Sequence, residues 1–340
     1  MARIAITGTA SFLGGRLLRR LVAARGPDGV LAVDITPPPT TLHGVRHRMV
    51  DLTLPGADRR LLEVFREEEV DTVVHAAFFT TPRRDAAYAH ELESIGTLHL
   101  AAGAAAAGVR HLLLRSFTGV YGARGQNPSF LTEERKPDAD SGLSWVRDKV
   151  EAEAHAFSFS RRYPGLGVTV LRFATLLGPG VHTFYTRLLS KRVVPVPLGY
   201  DPLVQLLHPD DALEAAALAL EKGPSGVVNV VPRASITLLT ALHLSDKVIV
   251  PVPHLVAYPL AELWWGSGVG EAPSGFIDYA RFPCVADGEK ASVTLGFTAR
   301  HSSRDALEAY LAYRFPEAAR RAPQAGRASD GGGEVHEVGA

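Results

Sequence analysis

Residues 7–15, TGTASFLGG, form a glycine-rich turn that decides the fold. The apolar residues 4–7 before it predict a strand, and the periodic stretch 13–25 after it predicts a helix. Glycines let a ligand approach the backbone closely, and a helix amino terminus offers free N–H groups and the positive end of a dipole. The stretch therefore predicts a site for the pyrophosphate of a dinucleotide. The alternative is a turn that only caps a helix.

An acidic residue stands at the end of the next predicted strand, residues 30–34. Asp34 lies 20 positions beyond Gly14. Its carboxylate can accept hydrogen bonds from a ribose diol and would repel a 2′-phosphate. The turn and this carboxylate together favour NAD over NADP as the cofactor.

Apolar runs and helical patterns alternate through the first half of the chain. This alternation predicts an α/β protein of the Rossmann type, with a doubly wound parallel sheet. The predicted strands are residues 4–7, 30–34, 45–50, 72–75, 111–115 and 168–173. The predicted helices between them are residues 13–25, 57–68, 85–107 and 144–162.

The second half is richer in proline and glycine and less regular. We expect a dinucleotide-binding domain over residues 1–175, with its sheet completed by segments near 204–231. Residues 176–317 should form mainly a smaller C-terminal α/β lobe that binds substrate. Residues 318–340 are dominated by small and charged residues, and we expect a disordered tail.

Composition excludes several functional classes. The chain has 340 residues, 46% of them hydrophobic, and a formal net charge of zero, which gives no basic footprint for nucleic acid. Its single cysteine, Cys284, forms no internal disulfide, and no zinc-ligand cluster is seen, so we expect no metal and a cytoplasmic protein. The apolar stretch 250–265 is too short and interrupted to span a membrane. We expect it to be a buried or substrate-covering helix, the alternative being a membrane-surface contact.

The glycine-rich turn also carries a family resemblance. The extended short-chain dehydrogenase/reductases, which include NAD-dependent sugar epimerases and dehydratases, usually read Thr-Gly-x-x-Gly-Phe-Ile/Leu-Gly here. Gly8, Phe12, Leu13 and Gly14 match that pattern, and Ser11 stands at its middle glycine. The chain resembles this family, and its UDP-glucose 4-epimerase-like members, over about residues 3 to 315.

Further motifs support the resemblance in their order along the chain. Val120-Tyr121-Gly122 follows the fifth predicted strand, residues 178–180 read Gly-Pro-Gly, and residues 207–211 read Leu-His-Pro-Asp-Asp. The resemblance implies an NAD site whose residues match the family's positions. These are Gly8, Ser11, Phe12, Leu13, Gly14, Asp34, Asp51, Leu52, Ala76, Ala77 and Lys149.

The family's catalytic residues are altered. Members use a tyrosine as acid/base and a lysine four residues later, which binds the nicotinamide ribose; here these positions hold Trp145 and Lys149. Indole does not titrate near neutral pH, so Trp145 cannot move a proton. Phe117 stands at the serine position and Glu93 at the asparagine position. Lys149 is expected to bind ribose, the alternative being a solvent-facing helix lysine.

Other hydroxyl groups are candidates for the lost chemistry. Ser116 and Thr118 flank Phe117, and either can orient a substrate oxygen or simply make strand-end hydrogen bonds. Tyr121 carries a phenol, although the family uses this tyrosine mainly for packing. The predicted catalytic set is therefore Thr118, Ser116, Lys149 and Tyr121, and whether the protein is an enzyme stays open.

Three functions fit these observations. The first is a divergent nucleotide-sugar epimerase or related oxidoreductase, although Val204 replaces the arginine that grips the diphosphate in such epimerases. The second is a non-catalytic NAD-binding sensor or scaffold. The third is a dehydrogenase of hydrophobic hydroxy compounds, similar to the hydroxysteroid branch. The substrate is thus a small molecule, either a sugar nucleotide or an apolar alcohol or ketone. The resemblance also implies a homodimer formed by the helices at residues 85–107 and 144–162.

Overall fold

A seven-stranded parallel sheet forms the centre of the molecule in the computed structural model, which describes residues 3–316. Its strands are β1 (Arg3–Thr7), β2 (Val30–Val33), β3 (Arg46–Arg48), β4 (Val70–His75), β5 (His111–Phe117), β6 (Gly167–Phe173) and β11 (Gly226–Val230). Their order is β11-β6-β5-β4-β1-β2-β3. The doubly wound fold predicted from the sequence is confirmed. The predicted tail, residues 318–340, lies outside the described residues.

Helices cover both faces of the sheet. They are α1 (Phe12–Arg25), α2 (Ala57–Glu67), α3 (Ala86–His90), α4 (Gly96–Ala107), α5 (Ser144–Arg162), α6 (Phe184–Ser190), α7 (Pro209–Lys222), α8 (Leu238–Leu244), α9 (His254–Gly266), α10 (Glu289–Leu295) and α11 (Ser303–Arg314). Leucines of α1 and alanines of α7 are buried in one core, and α2, α4 and α5 bury a second core on the opposite face. The sheet is therefore shielded on both sides, as its apolar strands require.

The long helix predicted over residues 85–107 is interrupted. A π-helical turn, Glu91–Ile95, joins α3 to α4, and the Asp85 carboxylate caps the start of α3 by accepting from the Tyr88 N–H. A π-turn inserts one extra residue into a helix and changes which side chains face a neighbour. Here it buries Glu93 and Ser94, which the sequence did not indicate.

A smaller lobe lies beside the carboxyl ends of the strands. Its strands form three short pairs: β7 (Thr175–Leu176) with β10 (Leu206–Leu207), β9 (Leu203–Val204) with β12 (Ile236–Thr237), and β8 (Val193–Pro197) with β13 (Val248–Val252). The lobe has its own hydrophobic core, which includes Leu189, Val196, Leu242 and Tyr310.

Two predicted elements differ from the structure. The strand expected over residues 45–50 is only β3, because it is the edge strand and pairs with just three residues of β2. The helix expected within residues 250–265 forms as α9, but none of its residues is buried, and Leu255 is 78% exposed. The expectation of a buried helix is wrong. No helix within residues 3–316 is long and apolar enough to cross a membrane.

Candidate active site

The glycine-rich turn brings β1 against the end of β4. Gly8 has a φ of +72°, and a Cβ there would collide with the backbone of Ala77. A Cβ on Gly14 would likewise collide with the Gly8 carbonyl. Because β1 and β4 meet where the strand order reverses, the turn opens into the crevice in which such sheets bind ligands.

The first turn of α1 presents free donors to that crevice. Ser11 caps the helix, and its hydroxyl accepts from the Gly14 N–H at 3.1 Å. Within the described residues, the N–H groups of Phe12 and Leu13 have no acceptor. The capping turn is therefore present, and it is compatible with the phosphate site, which stays a prediction. The cap satisfies one N–H group and leaves two for an anion.

Asp34 lies beside the same turn. Its Oδ2 accepts from the Ala10 N–H at 3.0 Å and from the Thr9 hydroxyl at 3.3 Å, and its Oδ1 accepts from the Thr36 N–H at 3.2 Å. These bonds hold the carboxylate at the mouth of the crevice. A ribose diol can share it, whereas a 2′-phosphate would meet its negative charge.

The adenine and nicotinamide ends of the predicted cofactor site are also formed by backbone turns. The Asp51 Oδ1 accepts from the N–H and the hydroxyl of Thr53, at 2.9 and 2.7 Å, which fixes the turn that contains the buried Leu52. Ala76 donates to the Thr7 carbonyl at 3.2 Å, and Ala77 lies against Gly8. Small side chains here leave room for a flat ring.

A cleft lined mainly by apolar and aromatic groups continues from this crevice along the ends of β5 and β6. It has a cavity volume of about 50 Å³ and is open to solvent. The residues that line it are Phe79, Thr80, Arg115, Ser116, Phe117, Trp145, Lys149, Phe173, Ala174, Thr175, Leu176 and Thr183. Apolar walls with a few polar groups are typical of small-molecule sites.

Trp145 forms one wall of the cleft from the first turn of α5. Its ring centroid lies 4.5 Å from that of Phe117 and 5.4 Å from that of Phe276, and its indole N–H donates to the Phe79 carbonyl at 3.3 Å. The indole is thus packed and already hydrogen-bonded. It shapes the cleft, and its N–H does not titrate near neutral pH.

Lys149 lies one turn further along α5, and it is buried. Its Nζ donates to the Glu93 Oε2 at 2.6 Å, and the two side chains are 4% and 0% exposed. The expectation of a solvent-facing lysine as the alternative is wrong. The Glu93 Oε1 also accepts from the Phe79 N–H at 2.5 Å, so one carboxylate ties Lys149 to the loop after β4.

Burial acts against both charges of this pair. It lowers the pKa of Lys149, and the Glu93 carboxylate opposes that change. It raises the pKa of Glu93, and the Lys149 ammonium opposes that change. The pKa of Lys149 is therefore lower, and that of Glu93 higher, than in water. Lys149 releases its proton more easily than an exposed lysine does.

The predicted hydroxyl groups have protein partners. The Ser116 Oγ donates to the Glu153 Oε1 at 2.6 Å, within a buried ion pair of Glu153 and Arg172. The Tyr121 hydroxyl donates to the Asn229 Oδ1 at 2.8 Å and is 2% exposed. Thr118 is buried at the end of β5 and is not among the residues that line the cleft. The catalytic roles expected for these three residues stay predictions.

Sequence reasoning missed two charged residues, one that lines the cleft and one behind it. Arg115 donates to the Phe78 carbonyl at 3.0 Å, and burial lowers its pKa to about 10, so it stays a cation at neutral pH. Glu93 was counted only as a lost asparagine. An acidic residue at the family's asparagine position was the only sequence signal that could have drawn attention to Glu93.

A second cluster of titratable groups lies on the outer side of α5. The His90 Nδ1 contacts the Asp148 Oδ1 at 2.9 Å, and Glu151 lies close to both. The Asp148 carboxylate raises the pKa of His90. The expectation that the chain holds no metal stays a prediction.

The comparisons with known proteins decide the family. The model of the NAD dependent epimerase/dehydratase family matches residues 4–231. The chain belongs to the NAD-dependent epimerase/dehydratase family. This confirms the resemblance seen in the sequence, and NAD is the cofactor of this family, as predicted.

One relative spans most of the chain, and another matches less than half of it. An uncharacterised protein of Mycobacterium tuberculosis is 31% identical over 314 residues, which cover 91% of this chain and 83% of that protein. A 3-diazoavenalumate denitrifying reductase from a Streptomyces species is 34% identical over 148 residues, covering 41% of this chain and 46% of the reductase.

Solved structures of epimerase/dehydratase proteins share the fold. The UDP-glucose 4-epimerase of Thermotoga maritima with UDP-glucose superposes with a TM-score of 0.72 at 20% identity, over 93% of this chain and 99% of that one. A dTDP-glucose 4,6-dehydratase from Bacillus anthracis in complex with NAD gives 0.68 at 17% identity, over 92% and 96%.

Proposed function

We propose that the chain is an NAD-dependent oxidoreductase. It transfers a hydride to or from a small molecule that carries an apolar or aromatic group beside its reacting carbon. The observation that carries the proposal is the cleft beside the nucleotide crevice, whose walls include Phe79, Phe117, Trp145 and Phe173. Aromatic walls exclude water and stack against a flat apolar group.

The chain's own residues fit a bound dinucleotide. The free N–H groups of Phe12 and Leu13 would hold the pyrophosphate, and the Asp34 carboxylate would accept from a ribose. The small side chains of Ala76 and Ala77 would lie beside the nicotinamide half. NAD supplies the hydride carrier, and Arg115 supplies a fixed cation that can polarise or hold an oxygen of the substrate.

The proposal departs from a nucleotide-sugar epimerase, which the sequence also permits. The solved structures with UDP-glucose support only the fold. Val204, at the family's diphosphate-gripping position, is 6% exposed within the core of the smaller lobe and provides no cation. The Streptomyces relative is named a 3-diazoavenalumate denitrifying reductase, which supports a reductase activity rather than an epimerase activity.

A non-catalytic NAD-binding protein is the second candidate. It is favoured by the hydrogen bond that occupies the Trp145 indole and by the ion pair that occupies Lys149. Both candidate functions use the same nucleotide crevice, and only the first includes turnover of a substrate.

The test begins with the nucleotide released from the purified, denatured protein, which we expect to be NAD or NADH. Reduced nicotinamide oxidation is then followed with aromatic aldehydes and ketones, with aliphatic ketones, and in parallel with UDP-glucose epimerisation. Turnover confined to apolar carbonyl compounds supports the proposal. Turnover of UDP-glucose alone contradicts it, and NAD binding without any turnover identifies the second candidate.

A further inference from the structure

The cleft contains few groups that can exchange a proton. Of the residues that line it, only Arg115 and Lys149 carry titratable side chains. An arginine does not release its proton at physiological pH. Trp145 does not titrate usefully, and the hydroxyl of Ser116 already donates to Glu153. Lys149 is therefore the one lining side chain, within the described part of the chain, that can supply a proton.

The tyrosines around the cleft do not replace it. The Tyr279 hydroxyl donates to the Gly119 carbonyl at 2.7 Å, and burial raises the pKa of Tyr279. Burial likewise raises the pKa of Tyr121, whose hydroxyl donates to Asn229. A phenol with a raised pKa is a poorer donor near neutral pH, and both hydroxyls are already bonded within the protein.

We propose that Lys149 is the proton donor of the reaction and that Glu93 is the positioning residue that holds the Lys149 ammonium at the cleft. This inference rests on the proposed function. In it, a lysine–glutamate pair replaces the tyrosine–lysine pair of the family. The ammonium also lies 4.5 Å from the Trp145 ring centroid and 5.7 Å from that of Phe117, so the walls of the cleft and the ion pair fix it together.

The reduction balances with these groups. Bound NADH would supply a hydride to the substrate carbon, and the C=O π electrons would move to oxygen. The substrate oxygen takes a proton from Lys149 Nζ, which leaves a neutral amine beside the Glu93 carboxylate. Water returns a proton to Lys149 through the open cleft. The products are the alcohol and the oxidised nicotinamide, and one proton is consumed from solvent.

The groups facing Lys149 determine its proton affinity. Glu93, from the π-helical turn, and Asp148, its neighbour on α5, raise the pKa of Lys149, whereas burial and the Arg115 guanidinium from β5 lower it. Removing the Glu93 charge should therefore lower the pKa of Lys149 further. In the reducing direction, activity must fall as pH rises through that pKa, because only the ammonium can donate.

The experiment uses two variants of the full chain. In Glu93→Gln we expect the alkaline limb of the pH–rate profile for carbonyl reduction to move to lower pH by about one unit or more. In Lys149→Met we expect the rate to fall about 10²- to 10⁴-fold at saturating NADH, with the alkaline limb lost. Fluorescence titration with NADH in both variants separates loss of binding from loss of proton transfer.

A readout without cofactor or substrate completes the test. In protein labelled with ¹³C-lysine, the resonance missing from Lys149→Met identifies Lys149, and its pH titration should shift downward in Glu93→Gln. Glu68→Gln is the matched control, because Glu68 is also a buried carboxylate, with Arg3, Arg46 and Arg48 as partners. It precedes the amino end of β4, whereas the cleft lies at the carboxyl ends of the strands. Glu68→Gln should lower stability and leave the Lys149 titration in place.

The outcomes separate the two proposals. A Lys149→Met rate equal to that of the unmodified chain, or an alkaline limb unmoved in Glu93→Gln, overturns the inference while the proposed function stands. A Lys149 titration unchanged in Glu93→Gln also overturns it. Absence of turnover with every carbonyl compound, despite normal NADH binding, overturns the proposed function, and with it the role of Lys149.

Discussion

At the scale of single residues, Asp34 decides which dinucleotide the crevice accepts. Its carboxylate is held beside the glycine-rich turn by the Ala10 N–H. We predict that Asp34→Ala weakens NAD binding and relaxes discrimination against NADP, because both the acceptor and the repulsive charge are lost. Calorimetric titration with each nucleotide measures the change. Equal affinities in the variant and the unmodified chain would remove Asp34 from the site.

Trp145 is the residue whose replacement is most informative for catalysis. We predict that Trp145→Tyr raises any basal oxidoreductase activity, because a phenol would stand one helical turn from the Lys149 ammonium, which lowers a neighbouring phenol's pKa. Initial rates with NADH and an aromatic ketone measure the effect. Trp145→Phe is the matched control, since it opens similar space without a hydroxyl. Equal rates in the two variants would show that the tyrosine position no longer takes part.

His75 links protonation to stability. Its Nδ1 lies 2.6 Å from the Thr7 hydroxyl and its Nε2 lies 3.0 Å from the Thr97 hydroxyl, and burial lowers its pKa to about 3. In the unfolded chain His75 has its ordinary pKa near 6.5. Between pH 6.5 and about 3 the unfolded chain therefore binds a proton at His75 that the folded chain does not, and stability falls as pH falls. We predict that lowering the pH from neutral to about 4.5 removes about 3 kcal/mol through His75 alone. Urea unfolding at both pH values should show a smaller difference for His75→Gln.

At the scale of elements, α2 and α4 pack closely through a glycine. A Cβ on Gly103 would lie 2.8 Å from both the Asp58 carbonyl and the Leu61 Cβ. We predict that Gly103→Val lowers the free energy of unfolding by about 1–3 kcal/mol, because the helices must separate. Urea denaturation measures it. Gly142→Val, at an exposed position with open space around it, should change stability much less.

Local elements were predictable because their signals are local. The bounds of α5 match the predicted residues, and the glycine-rich turn and Asp34 came directly from strand, turn and helix patterns. Contacts between distant segments were not predictable in the same way. Glu93 and Lys149 are 56 residues apart, and their meeting depends on the π-helical turn, which sequence periodicity does not reveal.

The exposed helix α9 shows a second limit of composition. Its sequence is strongly apolar, yet Leu255 and Leu263 are 78% and 67% exposed. An apolar stretch indicates a tendency to be buried, but much of any folded surface remains apolar. Only the tertiary arrangement determines whether a partner element covers the stretch.

At the scale of the whole molecule, the family resemblance implies a dimer formed by the helices over residues 85–107 and 144–162. We predict a mass of about two chains in light scattering. Tyr88→Arg, a charge at an exposed position of α3, should shift the equilibrium toward one chain. Leu263→Arg, on exposed α9, is the matched control and should leave the dimer intact. Dissociation by Leu263→Arg alone would assign the contact to α9 instead.

The π-helical turn Glu91–Ile95 makes the site sensitive to the number of residues in this segment as well as to their identity. An in-frame loss of one codon within it would replace the π-turn with a plain α-helical turn, which holds one residue fewer and would turn the side chain of Glu93 to a different direction. Such a deletion would leave every other codon intact, yet it would separate the carboxylate from the amine. Many substitutions within this segment should therefore disturb the contact between Glu93 and Lys149 less than the deletion of a single residue.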